Sequence, residues 1–121
     1  KIFGNNHKTY DGTPVRDFIH VDDLADVHFK ALIYLKKNRK NQICNCGYGN
    51  AYSIEDVVKV ISKNKKINLK YSYSAKRKGD TSFMVADSTK LKKLLNWKPK
   101  NFKLEKMVFS EIKWKKKLIK K

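Results

Sequence analysis

Long apolar runs are missing from this chain of 121 residues. None approaches the ~20 residues needed to span a bilayer, so membrane insertion is not expected. Cysteine is scarce: Cys44 and Cys46 stand two apart on an expected strand, with no second pair to complete a zinc site. They read as two buried thiols in a reduced cytoplasm. Asn5, Asn6, His7 and Lys8 interrupt the opening residues, so a signal-peptide layout is not expected in them. Internal repeats and a dividing linker are also missing, so residues 1–121 read as one domain or a piece of one.

Arginine is nearly absent too, although the net charge is +18. Residues 1–58 carry eight basic and seven acidic side chains, residues 59–121 twenty-one basic and four acidic, so the excess lies in the second half. Of the 29 basic residues only Arg16, Arg39 and Arg77 are arginine. Groove readers and phosphate clamps lean on arginine's planar fork, so specific nucleic-acid recognition is not expected. A salt-sensitive attraction to polyanions is expected regardless.

What is present alternates between strand and helix. Asp17–Val21 reads as a strand; Asp22 or Asp23 then caps a helix from about Leu24 to Lys36, with Leu24, Val27, Ala31, Leu32 and Leu35 on one face. Gln42–Cys46 reads as a second strand, buried on both faces and closed by Gly47. Ser53 with Asp56 three places on forms a capping-box variant opening a helix whose apolar face is Val57, Val58 and Ile61. Leu69–Ser74 alternates as a half-buried strand, and Phe83–Ala86 makes another. Asp87 or Ser88 caps a short helix ended by Asn96 and Pro99, and a last helix from about Leu104 has a tail, Lys115–Lys121, expected to fray. Such alternation implies an α/β fold with parallel pairing. With few strands to close a sheet, exposed apolar surface is expected, covered by a homodimer or a domain swap.

Several motifs occur together: Ile2-Phe3-Gly4-Asn5, Asp11-Gly12-Thr13, Val15-Arg16-Asp17-Phe18-Ile19-His20-Val21-Asp22-Asp23-Leu24-Ala25, Asn45-x-Gly47, Arg77-x-Gly79-Asp80, Ala86-Asp87-x-x-Lys90 and Leu95-x-Trp97-x-Pro99. In order and spacing the chain resembles the UDP-glucose 4-epimerases of the extended short-chain dehydrogenase/reductase family, along nearly all of its length. What it resembles is only their C-terminal third. The resemblance implies a Rossmann-like fold, mostly the substrate-binding subdomain plus the last strands of the parallel sheet. It also implies a UDP-sugar ligand and NAD as cofactor of the intact enzyme.

It further implies that Arg16 and Arg77 grip the diphosphate and Asp80 the ribose hydroxyls. By the same resemblance Lys1 and Phe3 lie on the strand whose backbone reads the uracil edge. Phe18, also a candidate substrate contact, stands where the family often has tyrosine, and Met84 stands where a tyrosine near the nucleotide is common. The bland alternatives are an Arg16 paired with Asp17 or Asp11, an Arg77 decorating a basic loop and an Asp80 that serves a turn. His20 reads as a hydrogen-bonded structural histidine, and Trp97 and Pro99 as packing.

Two parts of such an enzyme are not in this sequence. Gly47-Tyr48-Gly49 lacks the third glycine of a dinucleotide loop and reads as a turn, and no tyrosine has a lysine four places on. Without that base and without NAD the chain alone is expected not to turn over, the NAD-binding N-terminal portion being absent. Two rival readings stay open: another nucleotide-sugar epimerase or dehydratase, and a basic module for nucleic acid or anionic membrane.

Overall fold

The computed structural model describes residues 1–64 and 67–119. In order come β1 (Ile2–Phe3), β2 (Val15–Arg16), α1 (Val21–Asn38), β3 (Tyr52–Ser53), α2 (Ile54–Ser62), β4 (Tyr73–Ser74), β5 (Phe83–Met84), α3 (Thr89–Leu95) and α4 (Leu104–Ile119). The strands form two small sheets. β1 pairs with β4 in parallel, Ile2 opposite Tyr73, and β2 lies between β3 and β5. The β2–β5 pairing is parallel as the alternation implies, but β2–β3 is antiparallel.

The helices hold the core. Val27 of α1, Val60 of α2, Leu91 of α3 and Leu104, Met107 and Val108 of α4 bury against Tyr48 and Trp97. The Tyr48 and Trp97 rings stack at 6.2 Å between centroids and 10° between planes, so the packing role read for Trp97 is its role in the fold. Beneath this core lies a polar knot. Asp23, 2% exposed, accepts from the Tyr48 hydroxyl at 2.7 Å, from the backbone of Lys100 and Asn101 at 3.0 and 2.9 Å, and from Asn101 Nδ2 at 2.6 Å. It ties the first turn of α1 to the loop before α4. Burial pushes its carboxyl up, but the bonds from Tyr48, Asn101 and Lys100 outweigh that and hold it below the ordinary carboxylate range.

That knot explains a difference from the sequence reading. Asp23 is spent on Tyr48 and Asn101, so the helix is capped by His20, whose Nδ1 accepts from Asp22 N at 3.1 Å. The helix starts at Val21, and no residue of the strand expected at Asp17–Val21 is in a strand; the strand lies just upstream, at Val15–Arg16. His20 is thus structural, as read.

Residues 42–46 are not a strand. Among the described residues no strand lies beside them to take their backbone hydrogen bonds, Ile43 is 91% exposed, and Cys44 and Cys46 are only half-buried. The strand expected at Leu69–Ser74 is limited to Tyr73–Ser74, and that at Phe83–Ala86 to Phe83–Met84. The basic tail is helical through Ile119 rather than frayed; its last residues, 120–121, lie outside the described ones.

The capping box is present in full. Ser53 Oγ accepts from Asp56 N at 2.9 Å and Asp56 Oδ2 accepts from Ser53 N at 3.0 Å. Ser53 Oγ also donates to Asp11 Oδ2, and Asp11 Oδ1 takes the amide and hydroxyl of Thr13. One fully buried hydroxyl therefore joins the cap of α2 to the loop that feeds β2. Ser53→Ala is expected to lower stability by about 1–2 kcal/mol, read as a lower urea midpoint at unchanged slope.

Candidate functional site

The two sheets are joined by the segment between β4 and β5. β4 leaves beside β1, and β5 arrives beside β2, where Val15 N donates to Ser82 O at 2.9 Å. Arg77 and Asp80 lie on this crossing. Asp80 N donates to Arg77 O at 3.2 Å, closing a turn in which Gly79 takes φ +81°, a conformation that favours glycine. The turn therefore sets Arg77 toward β1 and Asp80 toward β2.

Around it is a cleft of about 270 Å³ lined by Lys1, Ile2, Phe3, Pro14, Arg16, Ile54, Arg77 and Asp80. Arg77 stacks its guanidinium over the Phe3 ring, 3.7 Å from the centroid. Arg16 donates from Nη2 to Asp80 Oδ1 at 2.5 Å and from Nη1 to the Val15 carbonyl at 2.8 Å. Both side chains of this ion pair are about a fifth to a quarter exposed. The opposite wall is stiffened by Ile54 N donating to Pro14 O at 3.1 Å, next to the Asp11–Ser53 network.

Five of the six expected site residues thus share one cleft: Lys1, Phe3, Arg16, Arg77 and Asp80. Phe18 does not join them. It packs against the helical core beside Val57, Ile61 and Met107, because the chain turns inward after Arg16 to bring Ile19 and His20 under α1. Met84 is exposed on β5. Arg16 is paired with neither Asp17 nor Asp11, but with Asp80, which 64 positions of sequence separate from it. Sequence reasoning also missed that Phe3 carries Arg77 on its face; the only local signal was an aromatic on a strand next to a glycine.

Chemically the cleft offers two guanidinium groups, a lysine and one carboxylate, a set suited to an anionic ligand that also presents hydroxyls. Larger grooves between α1 and α3 and between α2 and α4 are lined mainly by apolar side chains. Among the described residues no group of three or more His, Cys, Asp or Glu is placed to hold a metal. Burial, with Asp17 nearby, pushes the Cys46 thiol up and away from thiolate chemistry.

The Gly47-Tyr48-Gly49 turn does not fit a dinucleotide. Its amides are already used: Tyr48 N and Gly49 N donate to the Asp17 carboxylate at 3.2 and 2.9 Å. A Cβ on Gly47 would stand 2.3 Å from Asp17 Oδ2, so the glycine makes room for that carboxylate. A fixed negative charge there would repel a pyrophosphate.

Comparison with known proteins places the chain. Residues 3–110 match the family model described as GDP-mannose 4,6 dehydratase. The UDP-glucose 4-epimerase of Azospirillum brasilense is 36% identical over 117 residues, 97% of this chain and 34% of that protein. A UDP-glucose-4-epimerase structure from Stenotrophomonas maltophila, with bound NAD and formylated UDP-arabinopyranose, superposes with a TM-score of 0.90 at 29% identity, over 98% of this chain and 35% of the other. The enzyme from Bifidobacterium longum in complex with NAD+ and UDP gives 0.83 at 32% identity, over 96% and 34%. The chain spans about a third of the length of the relatives it matches.

Proposed function

Because the chain belongs to the GDP-mannose 4,6 dehydratase family, we propose that it is the C-terminal, UDP-sugar-binding portion of an NAD-dependent UDP-glucose 4-epimerase. The observation that carries this reading is the convergence of Arg16, Arg77, Asp80 and Phe3 on one cleft, from three separate stretches of sequence. The two guanidinium groups take the diphosphate, each by charge-assisted bonds on the order of 1.5–3 kcal/mol. Asp80 accepts from the ribose hydroxyls, and the Lys1–Phe3 strand borders the base. Phe18 has no place in this assignment.

NAD supplies the transient oxidation and reduction of the sugar in such an enzyme. This chain's own residues contribute the anchor: they hold the nucleotide end while the hexose changes face. The turn at 47–49 does not fit NAD, so the cofactor and the base belong to the remaining two thirds. The apolar side chains left open on α1, among them Phe29, Leu32 and Ile33, are of the kind that this remainder or a second copy covers. Reduced thiols at Cys44 and Cys46 suit a cytoplasmic setting. No helix among the described residues is long and apolar enough to cross a membrane.

Competition calorimetry tests the reading against its rivals. UDP is expected to bind with an affinity that changes little between 50 and 200 mM salt compared with any single-stranded nucleic acid or anionic vesicle. A preference for GDP or dTDP over UDP would move the assignment to another nucleotide-sugar enzyme. Affinity for polyanions alone, collapsing with salt and surviving Arg16→Ala, would favour the basic module.

A further inference from the structure

We infer that Asp80 is a positioning residue for Arg16, acting on the diphosphate through that guanidinium as well as on the ribose directly. The inference rests on the UDP-binding reading above. Arginine gives up much of its rotamer freedom when it is fixed, so a site that must present one to a ligand gains by holding it beforehand. The geometry here does that from two sides. Nη1 is fastened to the carbonyl of its neighbour Val15 and Nη2 to Asp80 Oδ1, so the plane of the fork is set before any ligand arrives.

The pairing leaves capacity on both partners. A guanidinium has five N–H donors, of which two are engaged here, and the remainder can face phosphate oxygens. Among the described residues Asp80 Oδ2 takes no hydrogen bond, so it can accept from hydroxyls while Oδ1 keeps its hold on Arg16. Ribose and diphosphate are therefore read by one connected pair rather than by two independent contacts. The turn that bonds Asp80 N to Arg77 O extends the link to the second arginine.

A sign difference makes this testable. If Asp80 served only the ribose, its removal would leave a ligand without hydroxyls unaffected. As a bare negative charge near phosphate, its removal would tighten such a ligand. Positioning predicts a loss instead.

The probe is 2′,3′-dideoxyuridine diphosphate, titrated alongside UDP by calorimetry at 150 mM salt into the chain and its variants. Asp80→Ala is expected to weaken the dideoxy compound roughly three- to tenfold, the scale of one unheld side chain. Asp80→Asn, whose amide oxygen still accepts from Arg16, is expected to restore most of that loss for the dideoxy compound. In an Arg16→Ala background, Asp80→Ala is expected to cost the dideoxy compound nothing further. Unchanged or tighter dideoxy binding in Asp80→Ala, or an equal loss with and without Arg16, overturns the inference while leaving UDP binding intact. If UDP affinity itself is indifferent to Arg16→Ala, the underlying reading fails first and takes this inference with it.

Discussion

Arg16→Ala and Arg77→Ala are each expected to weaken UDP binding about tenfold or more, a loss of ~1.4 kcal/mol or more apiece. For Arg16 the loss has two parts. A charge-assisted donor to phosphate disappears, and Asp80, now unpaired in a cleft where it is only 24% exposed, turns from a partner into a repulsive neighbour of the diphosphate. Arg77 loses a donor that was pre-set by stacking on Phe3. Lysine at either position is expected to recover charge but not affinity, since it has neither the fork nor a planar face to stack. The double variant is expected to fall short of the product of the two, because both groups hold one ligand. Calorimetry on the four proteins checks this, with circular dichroism confirming that each stays folded.

Asp23→Ala is expected to destabilise the fold by about 3 kcal/mol or more, since it strands the Tyr48 hydroxyl and three donors from Lys100 and Asn101 in a buried place. For a domain of marginal stability that is enough to unfold a large fraction of molecules at moderate temperature. The pH dependence follows from the direction of the shift. The Asp23 carboxyl is held below its ordinary value when folded, so in acid the unfolded chain takes up its proton first. Its contribution is complete above roughly pH 4, the unfolded value, and is lost as pH falls through the folded one. Asp11 and Asp56 are lowered as well: burial raises each, and hydrogen bonds led by Ser53 for the first and Tyr10 for the second outweigh it. Urea unfolding between pH 3 and 7 is expected to show stability falling in acid, and Asp23→Asn is expected to flatten that fall while starting from a lower plateau.

What the sequence made legible was what short range decides. Ser53 and Asp56 are three apart, and their reciprocal bonds need nothing else; Asn96 ends α3 in the left-handed conformation, φ 44°, as its position after Leu95 suggests. The motif resemblance put Arg16, Arg77, Asp80 and Phe3 in one site before any geometry was known. What stayed hidden depends on partners far along the chain. Two aspartates before a helix look like caps, yet Asp23 is claimed by Tyr48 and Asn101, and a histidine caps instead. The segment 42–46 looks like a buried strand, but a strand exists only where a neighbour takes its hydrogen bonds. Phe18 is drawn inward because α2 and α4 offer apolar surface there, which no spacing in its own segment reveals.

With only three arginines in the chain, their Nε–H resonances can be followed one by one in a nitrogen–proton spectrum during a UDP titration. Arg39 ends α1 on an exposed turn and serves as the internal control. UDP closing under both guanidinium groups predicts that the Arg16 and Arg77 signals shift along one saturating curve while Arg39 stays in place. Shifts in neither, or the same unsaturated drift in all three, would contradict a nucleotide diphosphate held where the two sheets meet.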